Sequence, residues 1–369
     1  MMIERRGHVF IKVIRKRQWR TLGLLVLFAA VALLLLWFPR AVAGGISRGL
    51  SICSTVIIPA LFPFLVLSGV MIRSGIAGSI GNRLEPVTRC LFGLPGCCAA
   101  GILVAFFGGY PAGATAIGDL VRSGQLNKEE AKRMLRFCVN GGPAFLVAAV
   151  GTGLMNSTAF GWLLLAAHWG ASLLMGILGA KRQPAARTVG RTTKTTSLTV
   201  AFVEAVTGAC GAMLTMCGFV LVFTTALALG DVLIENPIIT TALACLAEVN
   251  CGCLAAAEIP YWAPFLLGCT VGFGGLCVHC QAAAQLHGTG VMTSSFFLSR
   301  TAHALLTGLF TVLLLRVFPL SLSVGSSLNA PLRVEASYGT ATVSVALLVL
   351  CGVWMLLLTK KNTADIIDT

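Results

Sequence analysis

Phe107-Gly108-Gly109-Tyr110-Pro111-Ala112-Gly113-Ala114 lies deep within Leu91–Gly118, a run that contains no Asp, Glu, Lys or Arg. A run of that length and composition is suited to membrane hydrocarbon, where uninterrupted helix is the rule. The octapeptide works against helix, because glycine costs about 1 kcal/mol in a helix interior and proline about 3. A second triplet, Phe273-Gly274-Gly275, continues as Leu276-Cys277-Val278-His279-Cys280-Gln281 inside uncharged Ile259–Ser299. Non-helical backbone at membrane depth survives only where protein or a water-filled cavity covers it. The two interruptions therefore mark a candidate binding site.

The composition agrees with a membrane setting. Of 369 residues, 57% are hydrophobic and 11% charged, and the mean hydropathy is +0.89, far from soluble domains. Leu22–Phe38 is apolar and follows Arg5, Arg6, Lys12, Arg15, Lys16, Arg17 and Arg20. Phe38-Pro39-Arg40 ends it without a small-residue cleavage site, so it is expected to be a retained first helix with a cytoplasmic N-terminus. The net charge of +14 is concentrated there and between Lys181 and Lys194. Both clusters flank apolar segments, which points to topology and anionic lipid rather than nucleic acid. Most of the 14 cysteines sit in apolar runs, where a free thiol is a small hydrophobe, and disulfides are not expected.

Measured against the roughly 20 residues needed to cross a bilayer as helix, further spans are expected at Gly49–Ile72, bent by Pro59 and Pro63, and at Ala205–Gly230. Phe137–Ala180 is long enough for two crossings with a polar turn near Asn156-Ser157. Pro237–Ala257 forms one more, interrupted by Glu248, and Thr301–Leu315 and Ala341–Leu358 complete the set. The fold class is all-α: about eight transmembrane helices plus two broken or re-entrant elements. Basic residues on both sides of Leu91–Gly118 favour a re-entrant hairpin that bends near Gly108–Ala114. Asn127 is placed to cap an amphipathic helix running to about Phe137, with Glu129 and Glu130 in its first turn. The Thr-, Arg- and Lys-rich linker 181–198 separates two halves, each with one triplet, as an internal duplication would.

Several side chains accompany the interruptions. Glu248 stands in an apolar stretch, where an ionised group is costly and usually faces a cavity; equally, with Asn250 and Glu258, it could mark a water interface. His279, Gln281 and Gln285 follow the second triplet and could bond a polar ligand or a neighbouring helix. The glycines permit positive φ and close backbone approach, or simple small-residue helix packing. Cys277-Val278-His279-Cys280 lacks the second Cys-x-x-Cys that a zinc site would favour, and no cofactor is expected. No His-Glu-x-x-His, phosphate-loop or nucleophile-elbow pattern is present, so an enzyme is not expected. Arg300 follows Ser294-Ser295 and reads as a helix end.

Three signatures, Leu61-Phe62-Pro63-Phe64-Leu65-Val66-Leu67-Ser68-Gly69, Gly108-Gly109-Tyr110-Pro111-Ala112-Gly113-Ala114 and Asn140-Gly141-Gly142-Pro143-Ala144-Phe145, resemble the YlbJ-like family of bacterial sporulation integral membrane proteins. Glu248-Val249-Asn250-Cys251-Gly252, Gly272–Gln281 and Arg300-Thr301-Ala302-His303 extend the resemblance over Ala43–Phe318. It implies nucleoside-recognition, or Gate-type, repeats at 43–180 and 199–320. They would be preceded by a basic N-terminal segment with the first helix at 1–42 and followed by a C-terminal helix and tail at 321–369. It also implies a place in the bacterial cell membrane and a role in spore formation. The expected function is a permease for a small polar solute or ion, nucleoside-like in the family's name. The alternative is a non-transporting structural or assembly protein, with homo-oligomerisation or partners in the sporulation membrane. The expected substrate-binding residues are Gly108, Gly109, Tyr110, Pro111, Gly113, Asn140, Glu248, Asn250, Gly274, Gly275, His279 and Gln281.

Overall fold

The computed structural model describes residues 2–180 and 196–320. The expected linker 181–198, save its last residues, and the expected helix at Ala341–Leu358 lie outside the described residues. The described chain is a multi-pass helical membrane protein, without a strand among those residues. Five helical stretches are long and apolar enough to cross a bilayer: Pro39–Arg73, Thr158–Leu178, Leu198–Leu233, Ala263–Gln285 and Ser294–Val317. Shorter apolar helices occupy Thr21–Trp37, Cys98–Phe107, Ala144–Leu154 and Pro237–Ala247.

Helix α1 (Met2–Trp37) carries its apolar stretch with side chains almost wholly exposed, among them Leu24, Phe28, Leu36 and Trp37. Exposure on that scale suits contact with lipid chains rather than water. Helices α2 (Pro39–Ile52) and α3 (Ile58–Arg73) form one long rod, joined by a π-helical turn at Cys53–Ile57. Pro59 starts α3 and Pro63 lies inside it; the extra residue per turn at Cys53–Ile57 is the usual local accommodation of such strain. Helix α4 (Ile76–Phe92) follows.

The first triplet makes a hairpin. Helices α5 (Cys98–Phe107) and α6 (Tyr110–Arg122) meet at Gly108-Gly109, and small residues let them run antiparallel: Gly101 packs on Ala116 and Leu120, and Gly113 on Ala105. Gly109 has φ +87° and ψ 177°, a combination open to glycine and strained for other residues. At ~1.5 Å per residue, neither the 10-residue α5 nor the 13-residue α6 spans ~30 Å of hydrocarbon. Helix α7 (Lys128–Leu135) closes its start with a reciprocal box: Asn127 Oδ1 accepts from Glu130 N–H, and Glu130 Oε2 accepts from Asn127 N–H. It ends at Leu135, two residues earlier than expected.

Two expected spans are corrected. Phe137–Ala180 holds only one full crossing, α8 (Thr158–Leu178), because residues 137–142 are non-helical or turn and Ala144–Leu154 is an 11-residue π-helical segment. The turn between them falls at Asn156-Ser157 as expected, with Asn156 at φ 48°. After α9 (Leu198–Leu233), the stretch Pro237–Ala257 folds back on itself: α10 (Pro237–Ala247) and α11 (Val249–Ala257) meet at Glu248, and Gly252 packs on Cys245. Glu248 is the bend of a hairpin, and not an interruption in a single crossing. The second triplet is a broken element of another kind than the first: α12 (Ala263–Phe273) and α13 (Gly275–Gln285) run on as one 23-residue span with a kink at Gly274, φ +83°. Helix α14 (Ser294–Val317) completes the described chain and begins two turns before Arg300.

Packing is set by close backbone approach. The α2–α3 rod lies antiparallel to α9, with Gly45 against Thr225, Gly49 against Leu221 and Gly69 against Ala205. Helix α12 lies antiparallel to α14 through Gly268 against Gly308 and Gly272 against Ala304.

Candidate functional site

Four chain interruptions meet in the middle of this assembly. The Tyr110 hydroxyl, from the start of α6, donates to the Val271 carbonyl near the end of α12 at 2.7 Å. The same ring borders Gly141 and Gly274. Gly142 approaches Gly109, and Gly275 lies against the backbone of Ala247 and Glu248. The bend at Gly108-Gly109, the non-helical Asn140-Gly141-Gly142, the bend at Glu248 and the kink at Gly274 thus form one junction. Each helix that stops there leaves unpaired backbone groups, so the junction concentrates polar backbone inside an apolar body.

A cavity of ≈ 50 Å³ opens at the junction, room for a few waters or a small ion. Seven expected site residues line it: Gly108, Gly109, Tyr110, Pro111, Glu248, Asn250 and Gln281. Gly142, Phe145 and the α3 residue Leu61 complete much of the wall. Glu248 is 1% exposed. Its Oε1 accepts from Asn250 Nδ2 at 2.7 Å and its Oε2 from Cys251 N–H at 2.8 Å, so it caps α11 while facing the cavity. Gln281 Nε2 donates to Cys277 Sγ at 3.3 Å, and Met216 O on α9 lies at 3.5 Å.

The other five expected residues lie beside the cavity rather than on its wall. Gly113 abuts the Cys138 carbonyl in the α5–α6 hairpin. Asn140 donates through Nδ2 to Phe137 O and accepts from Ser172 Oγ, which fixes the turn that precedes the π-helical segment. Gly274 and Gly275 supply the kink and the approach to Glu248. His279 points away into an aromatic cage of Phe273, Phe296 and Phe297, with ring centroids 4.6, 5.3 and 5.1 Å away, and neither ring nitrogen has a partner.

A second polar layer supports the junction. Arg300 is fully buried on α14, which corrects its expected place at a helix end. Its Nη2 donates to Gly272 O and its Nε to Phe273 O, so the guanidinium closes the carbonyl end of α12. His303, one turn on, contacts the same Gly272 carbonyl through Nδ1. From α8, His168 Nε2 accepts the Gly141 N–H at 2.9 Å. The signal for Arg300 was visible: a charge between Phe296 and Leu315 belongs to an apolar helix, and such a residue faces the interior. The preceding serines instead begin the helix.

No family model matches the chain, and no solved structure does. The chain is similar to the sporulation integral membrane protein YlbJ of Bacillus subtilis (strain 168), with 25% identity over 318 residues, covering 75% of this chain and 78% of that protein.

Proposed function

We propose that this chain, a sporulation integral membrane protein of the YlbJ-like family, is a permease for a small polar solute, with its binding site at the junction of the four interruptions. One observation carries the reading: breaks distant in sequence converge on a cavity lined by a buried carboxylate, an amide pair and free helix ends. Helix packing alone asks for small residues, not for Glu248, Asn250 and Gln281 on one wall. Discontinuous helices that meet in this way are a common solution for solute sites in transporters.

The cavity is far below the ~300 Å³ typical of a pocket for a drug-sized molecule. A nucleoside-sized solute, as the family's Gate-type resemblance implies, would require the α5–α6 hairpin and α13 to part. In this reading the N-terminus is cytoplasmic, the two Gate-type halves are 43–180 and 199–320, and the solute contacts come from Glu248, Asn250, Gln281 and the Gly108-Gly109 backbone.

The test is flux in proteoliposomes with a panel of nucleosides and other small polar solutes. Saturable flux that is lost in Gly109→Leu, whose added side chain would run into Leu61, supports the reading. Loss in Glu248→Gln at unchanged membrane level supports it independently. Absence of flux for every solute, with a stable complex of sporulation membrane proteins, would favour the assembly role instead.

A further inference from the structure

The geometry points to a binding site for one sodium-sized monovalent cation at Glu248, in the same junction. Glu248 is 99% removed from solvent in an apolar body, since its exposure is 1%. The ion pairs among the described residues join Arg48 to Asp231, Arg73 to Glu204, Arg89 to Glu85, Arg122 to Asp119 and Lys132 to Glu129, and none includes Glu248. Two guanidiniums stand in the neighbourhood, Arg48 beside the Cys251 thiol and Arg300 on the Gly272 and Phe273 carbonyls, but neither makes an ion pair with Glu248. An intramembrane acid without a direct partner is costly and is usually paired or bound to an ion.

Both carboxylate oxygens already act as acceptors, toward Asn250 Nδ2 and Cys251 N–H. Each oxygen keeps a further lone pair. The N-terminus of α11 offsets part of the charge, but a helix end carries about half a unit and leaves the remainder. The cavity that Glu248 lines is ≈ 50 Å³, the scale of an ion with a water or two. Phe107, at the carbonyl end of α5, lines it. Half-helix carbonyl ends of this kind suit a hard cation.

The charge of the ion follows from the ligands. A single carboxylate supplies one negative charge, and the described residues hold no cluster of His, Cys, Asp and Glu suited to a metal. Neutral oxygens complete the shell, from the amide groups of Asn250 and Gln281 and from the interrupted backbone. Such a set fits a monovalent ion, whereas a divalent ion usually takes more carboxylates. This inference rests on the junction being a binding site, as proposed above, but its test needs no transported solute, so the two fail separately.

The full chain, purified in detergent, is melted in sodium chloride and in choline chloride at equal ionic strength. Wild type is expected to melt higher in sodium, with a shift that saturates as sodium rises. Glu248→Gln keeps the shape and is expected to melt alike in both salts. Equal melting of wild type in the two salts, or a sodium shift retained in Glu248→Gln, overturns the site. Should Glu248→Gln not fold, binding of radioactive sodium to wild type decides: saturable binding displaced by unlabelled sodium but not by choline supports the site, and its absence overturns it. A melting temperature that responds to pH and not to sodium also overturns it, in favour of a proton.

Discussion

The imidazoles of His168 and His303 lie 4.6 Å apart, centroid to centroid, and His303 Nε2 reaches the main-chain carbonyl of His168 at 3.1 Å. Each belongs to a long helix that packs beside an interruption, α8 for His168 and α14 for His303. Each also faces the backbone of the break next to it: His168 takes the Gly141 N–H, and His303 Nδ1 lies 3.2 Å from the Gly272 carbonyl, to which it donates when the ring proton is on Nδ1 rather than Nε2. The two breaks are thereby tied to one another through two side chains rather than through a continuous helix. Because His168 Nε2 accepts, its proton sits on Nδ1, which is buried without a partner.

That arrangement makes His168 a supporting group whose removal is felt through backbone. His168→Ala would orphan the buried Gly141 N–H, a cost of ~1–3 kcal/mol, while His168→Gln can still present an acceptor. The expectation is a clear fall in melting temperature for the alanine variant and partial recovery for the glutamine. Equal stability of the alanine variant and wild type would remove His168 from this role.

The glycines separate into those that permit an approach and those that do not. A Cβ on Gly113 would stand 1.8 Å from the Cys138 carbonyl oxygen, with no flexible side chain to give way. Gly218, inside α9, has nothing within 4 Å of its Cβ position. Gly113→Ala should therefore prevent the α5–α6 hairpin from seating, seen as loss of folded protein after solubilisation. Gly218→Ala should stabilise by ~1 kcal/mol through helix propensity. Similar behaviour of the two variants in a melting assay would contradict the packing.

Much of the membrane class was legible, because long uncharged runs and basic flanks are one-dimensional signals that a bilayer imposes directly. The places where helix fails were legible too, since Gly108-Gly109, Pro111 and Gly274-Gly275 weaken helix locally. What they fail into was not. The same Phe-Gly-Gly triplet bends a hairpin in one place and kinks a continuous span in the other, because the outcome depends on what each flank packs against. Glu248 was visible as a charge in an apolar stretch, yet its hairpin depends on contacts such as Gly252 against Cys245. The layer of His168, Arg300 and His303 was the least legible, as its bonds run from side chain to backbone across distant segments. His279 shows the opposite limit: it neighbours the triplet in sequence, but the turn of α13 carries it into the phenylalanine cage.

Tyr110 is the direct link between the two triplets, and its hydroxyl bond to Val271 O is buried. Tyr110→Phe removes the donor but keeps the ring, at an expected net cost of ~0.5–1.5 kcal/mol. If the junction is the transport site, the same change should lower flux more than a comparably destabilising substitution far away, such as Asn127→Ala, which removes the α7 cap at a cost of ~1 kcal/mol. Parallel melts and flux measurements on the two variants provide the check, and equal flux in both would argue that the Tyr110 bond serves stability alone.

Arg300 offers the sharpest contrast between charge and shape. It is wholly buried, holds the Gly272 and Phe273 carbonyls with different nitrogens of one planar fork, and leaves Nη1 without a partner. Lysine preserves the charge but concentrates it at a single compact ammonium, which cannot span two carbonyls in the same fixed geometry. Arg300→Lys is therefore expected to be poorly tolerated despite its charge, with loss of folded protein or a melting point several degrees lower. If charge alone mattered, the lysine variant would match wild type and Arg300→Met would fail. If the fork matters, lysine and methionine variants should both lose the closure at the end of α12, and thiol accessibility of Cys269, four residues before Phe273, should rise in both relative to wild type.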